Sequence, residues 1–258
     1  MKKLWLPLAT LCVTFLSPSL SANYFKDNFS WGYNTSIWTA RQGDNGTPFG
    51  CSFEPNMQSP SEHGLTLTLS QGTCSELQSN QFYSYGKVQG RLKSGNVAGT
   101  VSSIFTYTSW WDSPGRAWQE IDIELLPLLG NVVHTNIIYQ PQGGLYQSWE
   151  QDIDLSQFGL DYRENLLMIG FDWSSSVIRW YLYDANGQEQ TIRTVYKDNG
   201  DGVLANNEIP AYAWPVDNTK IMINHWHGDN SQEANYFPGQ YYGASSWVYY
   251  DFIEYIPN

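Results

Sequence analysis

Apolar and polar residues alternate with a period of two along much of this chain. Gly64-Leu65-Thr66-Leu67-Thr68-Leu69-Ser70 is the clearest case, the pattern of a strand with one buried face. Residues 118–126 alternate in the same way, and residues 85–93 carry Val88 and Leu92 punctuated by Gly86 and Gly90. Thr100–Thr108, 132–139, Leu167–Trp173, Val177–Tyr183, 220–226 and 246–256 are rich in β-branched and aromatic residues, which suit a pleated surface. Asp184-Ala185-Asn186-Gly187 ends in Asn-Gly, a hairpin turn signal. No helical period is sustained over ten residues. Many short strands between Gly, Pro, Asn and Asp turns predict an all-β fold. The expected form is a jelly-roll β-sandwich of two antiparallel sheets. No repeat and no Pro- or Ser-rich linker divides the chain, so one domain is expected over residues 23–258.

Composition narrows the class. Aromatic residues make up 16% of the 258 residues, which excludes a disordered chain. Residues 1–3 carry two lysines, residues 4–16 are apolar, and Ser17-Pro18-Ser19-Leu20-Ser21-Ala22 is rich in small residues. That order reads as a cleaved signal peptide over residues 1–22, and therefore as a secreted or periplasmic protein. Without Lys2 and Lys3 the chain has 11 basic residues against 25 acidic ones, a net charge of −14. Such a surface is a poor partner for nucleic acid or for anionic membranes. Cys12 leaves with the leader, and Cys51 and Cys74 remain. An even pair in an oxidising compartment reads as a disulfide, with two buried thiols as the alternative. His225-Trp226-His227 puts two imidazoles on one face of a strand. With no third ligand nearby in sequence, ordinary polar contacts are favoured over zinc.

The sharpest chemical signal is Trp118-Gln119-Glu120-Ile121-Asp122-Ile123-Glu124-Leu125. On a strand, Glu120, Asp122 and Glu124 point to one face while Ile121, Ile123 and Leu125 point to the other. Stacked carboxylates repel, and repulsion raises at least one pKa, keeping an acid protonated near neutrality. Four residues at ~3.3 Å separate the outer backbones by ~13 Å, leaving ~5–7 Å between side-chain carboxyls. That range spans both glycosidase geometries and leans to the retaining one. The competing reading is an acidic face serving calcium or solubility. The tryptophans are too many for one core, so some are expected to line a cleft, where flat sugar faces pack on them. Trp118, two residues before Glu120, shares the acidic face.

Glu120-Ile121-Asp122-Ile123-Glu124 resembles the signature of glycoside hydrolase family 16, preceded by Trp as in its bacterial licheninases (1,3-1,4-β-glucanases). Residues 99–108, the late Asn224-His225-Trp226, Phe171-Asp172-Trp173 and the closing Tyr250-Asp251-Phe252 are similar to blocks of the same enzymes in the same order. The resemblance implies two curved sheets, a concave substrate cleft and a retaining double displacement. Glu120 would be the nucleophile, Glu124 the acid and then the base, and Asp122 the residue tuning the pair. It places Cys51 and Cys74 at the family's disulfide. It implies substrate contacts from Asn45, Glu76, Phe105, Tyr107, Trp118, Asn136, Asn224 and Trp226. It also implies a calcium site distant from the catalytic face, with the Asp251 side chain and the Asn28 and Gly64 carbonyls; catalysis itself needs no cofactor. The expected partner is a β-glucan, and the expected state a monomer.

The chain departs from the licheninase pattern in places. Gln78 stands where a substrate-binding Arg is usual, and it cannot supply a guanidinium fork. Leu125-Leu126-Pro127 replaces Phe-Leu-Gly, and Ile137 and Ile138 stand where aromatics are common. An extra stretch, 196–213, reads as a surface loop. The expected activity is a secreted endo-β-glucanase on mixed-linkage glucan. The competing readings are a xyloglucan-active or other β-glucan hydrolase or transglycosylase, and a catalytically silent carbohydrate-binding jelly roll.

Overall fold

Each alternating segment is a strand, and the strands assemble into two large sheets packed on a shared apolar core. The computed structural model describes residues 24–200, 204–216 and 218–258. The expected signal peptide therefore lies outside the described residues. One sheet runs Gln147–Ser148, Val132–Gln140, Trp118–Leu125, Thr100–Thr108, Lys220–His227, Thr73–Ser79, Ser52–Phe53 and Gly43–Asp44, with Trp38–Ala40 also on Thr73–Ser79. The other runs Glu208–Ile209, Glu189–Lys197, Val177–Tyr183, Leu167–Trp173, Gly86–Ser94, Ser246–Pro257, Gly64–Leu69 and Gln58–Ser61. This is a jelly-roll sandwich.

Two details differ from the pattern read in the sequence. Both sheets have a parallel edge pairing: Ser52–Phe53 on Thr73–Ser79, and Glu208–Ile209 on Glu189–Lys197. The second comes from the 196–213 stretch, which is not only a surface loop. Its strand Glu208–Ile209 closes the sheet edge, and Ile209 and Ala213 are buried. A strand of two residues is too short to show alternation, so its sequence carries no signal.

The apolar side of the acidic strand explains its position. Ile121, Ile123 and Leu125 are buried beneath it in the core, each worth ~1.5–3 kcal/mol against exposure. Trp38, Trp173, Trp180 and Trp214 are fully buried, which accounts for part of the tryptophan surplus. Three of these indoles spend their N–H on main-chain carbonyls. Trp173 donates to Pro215 and Trp214 to Ser174, each at 3.1 Å. Trp180, on the opposite sheet, donates to the carbonyl of Asp122 at 3.1 Å. A polar bond thus ties the second sheet to the middle of the acidic strand.

Cys51 and Cys74 form a disulfide with Cα atoms 5.7 Å apart, within the ordinary range. It fastens the sheet edge beside a smaller apolar cluster of Phe53, Leu69, Val101 and Trp226. Replacing both cysteines by serine is expected to cost ~3 kcal/mol in the chain-entropy account, or roughly 6–12 °C in Tm. Thermal unfolding checks this. Reductant should lower the Tm of the parent protein by a similar amount and leave the double variant unmoved.

Candidate active site

The acidic strand sits third from one edge of its sheet, with Val132–Gln140 on one side and Thr100–Thr108 on the other. Strand register then decides which groups flank each acid. Glu120 stands between Tyr107 and Ile138, Asp122 between Phe105 and Asn136, and Glu124 between Ser103 and His134. One strand further, Phe105 meets Met222 and Ser103 meets Asn224, and Asn224 in turn meets Glu76. The catalytic, amide and aromatic residues anticipated from the sequence therefore share one face. That face is recessed. Asp122, Phe105, Asn136 and Asn224 are buried although no third sheet among the described residues covers them, while Glu120 and Glu124 remain half-buried and reachable.

The three acids have different partners. Trp118 donates its indole N–H to Oε1 of Glu120 at 2.6 Å. Asp122 shares a hydrogen bond with Glu120. Burial raises the Glu120 pKa to about 7, against the lowering effect of those two bonds. Glu124 gains no such support: burial first, then the charges of Glu120 and Glu150, lift it to about 8. Asp122 is pushed up by burial and by both neighbouring carboxylates, so it holds a proton that it can donate to Glu120. Hydrogen bonds to a carboxylate favour its charged form. Glu120 is thus the easier of the outer acids to ionise, and Glu124 the better proton carrier. That division is what acid-assisted displacement at a sugar carbon requires.

The remaining predicted residues take two kinds of position. Tyr107 donates to Ser109 Oγ at 2.8 Å, and burial lifts its phenol to about 12. Asn224 donates to Glu76 Oε2 at 3.1 Å and accepts from Ser103 Oγ. Asn136 accepts from the main-chain N–H of Trp149 at 3.2 Å. Trp226 is buried, its ring 4.2 Å from Phe49 and 6.4 Å from Phe237, so it forms part of a wall more than an open platform. Asn45 is exposed and accepts from Arg41 at 3.2 Å.

Several neighbours were not legible in the sequence. Tyr146, 49% exposed, lies with its ring 5.6 Å from Trp118, and burial first, then the neighbouring acids, push its phenol up. His134, beside Glu124, pairs with Asp152 at 2.7 Å. Arg193 reaches from the opposite sheet, stacks 4.7 Å over Trp180 and donates to Thr135 and to the Trp149 carbonyl. No single strand's pattern announces these contacts, because each joins distant segments.

His225 and His227 make polar contacts. His225 lies against Ser102 Oγ and the Val101 carbonyl. His227 accepts from the Gly72 main-chain N–H and stacks on Tyr241 at 3.9 Å. His227 also lies within 4.8 Å of both cysteine sulfurs, a proximity the spacing in sequence did not reveal. Sulfurs joined in a disulfide offer no thiolate to a metal.

The anticipated calcium residues lie on the other sheet. Asp251 interrupts the pairing of Ser246–Pro257 with Gly86–Ser94 at a register shift. The registers Asp27↔Ile253 and Leu65↔Tyr250 bring Asn28 and Gly64 to the same neighbourhood. A carboxylate with two main-chain carbonyls is an all-oxygen set of the kind calcium takes. Arg91 shares that carboxylate, donating to Oδ2 of Asp251 at 2.9 and 2.6 Å.

Comparison with known proteins agrees with this geometry. The family described as "Glycosyl hydrolases family 16" matches residues 45–242. A β-glucanase of Bacillus subtilis (strain 168) is 31% identical over 96% of this chain and 92% of its own. One from Paenibacillus polymyxa is 31% identical over 100% of this chain and 99% of its own. The solved β-glucanase of Bacillus licheniformis superposes with a TM-score of 0.71 at 27% identity, covering 92% of this chain and 99% of that one.

The raised acids have a consequence for stability. Between the ordinary Glu pKa of 4.5 and about 8, the unfolded chain releases the Glu124 proton while the folded chain keeps it. Folding then takes up a proton, so this group lowers stability as pH rises through that window. Glu124→Gln is expected to raise Tm at pH 7 by a few degrees, ~2–4 °C for each kcal/mol relieved. The gain should shrink toward pH 4.5. Thermal unfolding across pH 4–8 measures both trends.

Proposed function

The chain belongs to glycosyl hydrolases family 16, and on that premise we propose that it is a retaining endo-β-glucanase acting on mixed-linkage 1,3-1,4-β-glucan. The observation that carries this reading is the unequal support of two acids on one strand face. Glu120, hydrogen-bonded by Trp118 and Asp122, is suited to ionise and attack the anomeric carbon. Glu124, held protonated by burial and by like charge, is suited to protonate the departing oxygen. In the second half of the reaction Glu124, now ionised, takes a proton from water as that water displaces Glu120. Asp122 keeps the nucleophile oriented through its hydrogen bond to Glu120.

Mixed-linkage specificity is supported by similarity to β-glucanases along almost the whole chain and by the polar residues Asn45, Glu76 and Asn224 along the recessed face. Export is part of the proposal: the leader over residues 1–22 would be removed, and the disulfide belongs to an oxidising compartment. Among the described residues no helix is long and apolar enough to cross a membrane. The enzyme is proposed to work as a monomer.

Calcium is proposed as a structural ion held by Asp251 with the carbonyls of Asn28 and Gly64. It would share the Asp251 carboxylate with Arg91 and tie the middle of Ser246–Pro257 to the end of Phe25–Asp27 and the start of Gly64–Leu69, without entering the reaction. Chelation is then expected to lower Tm, with reversal by added calcium and no change in kcat at low temperature. An identical Tm with and without chelator would remove the ion from the account.

Reducing-end release from barley β-glucan, lichenan, laminarin and xyloglucan tests the substrate, with the first two expected to be cleaved fastest. Binding without cleavage of any would favour a silent lectin-like role. Glu120→Gln and Glu124→Gln are each expected to cost on the order of 10²–10⁴-fold in rate. With an activated aryl glycoside, azide should restore turnover to Glu120→Ala and give an α-glycosyl azide. A β-azide from that variant would reverse the two roles.

A further inference from the structure

Trp38–Ala40 pairs antiparallel with Thr73–Ser79, and the pairing runs on for one more hydrogen bond, from the Arg41 main-chain N–H to the Glu76 carbonyl at 3.0 Å. This sets the Arg41 side chain beside that of Glu76. One guanidinium nitrogen lies 3.3 Å from Glu76 Oε1, and the other donates to Asn45 Oδ1 at 3.2 Å. Glu76 is only 2% exposed, and its Oε2 accepts from Asn224. Its Oε1 is buried and is held only by the longer contact to Arg41. The Arg41 side chain, by contrast, is 33% exposed.

A purely structural ion pair would satisfy both carboxylate oxygens and bury its cation. Here the cation stays partly exposed, with unspent guanidinium donors beside the Asn45 amide. That combination matches two adjacent sugar hydroxyls, one accepting from Arg41 and the next meeting the exposed Asn45 amide, with Glu76 holding the guanidinium in place. Gln78, two residues along on the same strand face, cannot supply this charge. Burial without a cation would leave Glu76 neutral, since it already lifts the carboxyl to about 7 against the opposing charge of Arg41.

We propose that Arg41 is a specificity-determining residue, forming with Asn45 and Glu76 a subsite for the vicinal hydroxyls of a sugar ring remote from the bond being cleaved. Thr73–Ser79 lies three strands from the acidic strand, about 14 Å at the usual strand spacing. The subsite therefore senses chain length and ring orientation and leaves the chemical step alone. The assignment rests on the β-glucanase reading and is tested so that the two can fail separately.

Arg41→Gln and Arg41→Lys are compared with the parent enzyme on long mixed-linkage oligosaccharides and on a short aryl glycoside that ends before the subsite. Arg41→Gln is expected to lower kcat/KM on the long substrates about ten-fold, through KM, the loss of one charge-assisted hydrogen bond. On the short substrate the change should stay under about two-fold. Arg41→Lys should fall between, because an ammonium keeps the charge without the fork. Equal losses on both lengths, or none on the long one, overturn the proposal. Titration of the long oligosaccharide into Glu120→Gln, with and without Arg41→Gln, reads the subsite without turnover. Arg41-dependent binding with no cleavage by the parent overturns the hydrolase reading alone. Cleavage with Arg41-independent binding overturns the subsite alone, and no binding overturns both.

Discussion

The structure depends on confining three acidic groups to one side of a single extended segment. A strand has only two faces, so whatever the acids occupy is lost to the core. Ile121, Ile123 and Leu125 compensate from the other face by burying completely. Repulsion among Glu120, Asp122 and Glu124 would push this segment away from neighbours that merely tolerated it. Flanking strands on both sides, and the bond from Trp180 to the Asp122 carbonyl, hold it where burial raises all three pKa values.

Once the acids are trapped together, small differences in partners become differences in role. Identical side chains at Glu120 and Glu124 diverge because only Glu120 receives the indole and the middle acid. The opposite sheet contributes as well. Arg193 stacks on Trp180 and bonds the strand adjoining the acids, and burial lowers the pKa of this guanidinium to about 10 against the opposing charge of Glu150. Chemistry on one surface of the sandwich is thus underwritten by polar groups rising from the sheet beneath it.

How much of this was legible in the sequence follows from range. The acids and their apolar counterparts lie within eight residues, so period-two alternation exposed both the strand and its chemistry. Trp118 could be placed on the acidic face by parity alone. Tyr146, His134 and Arg41 could not. Each acquires its partner through pairing between separated segments, and the register of that pairing depends on side chains elsewhere. The edge strand Glu208–Ile209 escaped because two residues contain no period. The proximity of His227 to the disulfide escaped because it spans the distance from residue 51 to residue 227.

The order of strands across the active sheet has one more implication. Lys220–His227 lies between Thr100–Thr108 and Thr73–Ser79, although it is made long after both. The hairpins around the acids join neighbouring segments and can form early, but the floor beside them closes only once Lys220–His227 is added. Contacts of such long sequence separation fold slowly. The recessed face is accordingly completed only when Lys220–His227 has paired with Thr100–Thr108.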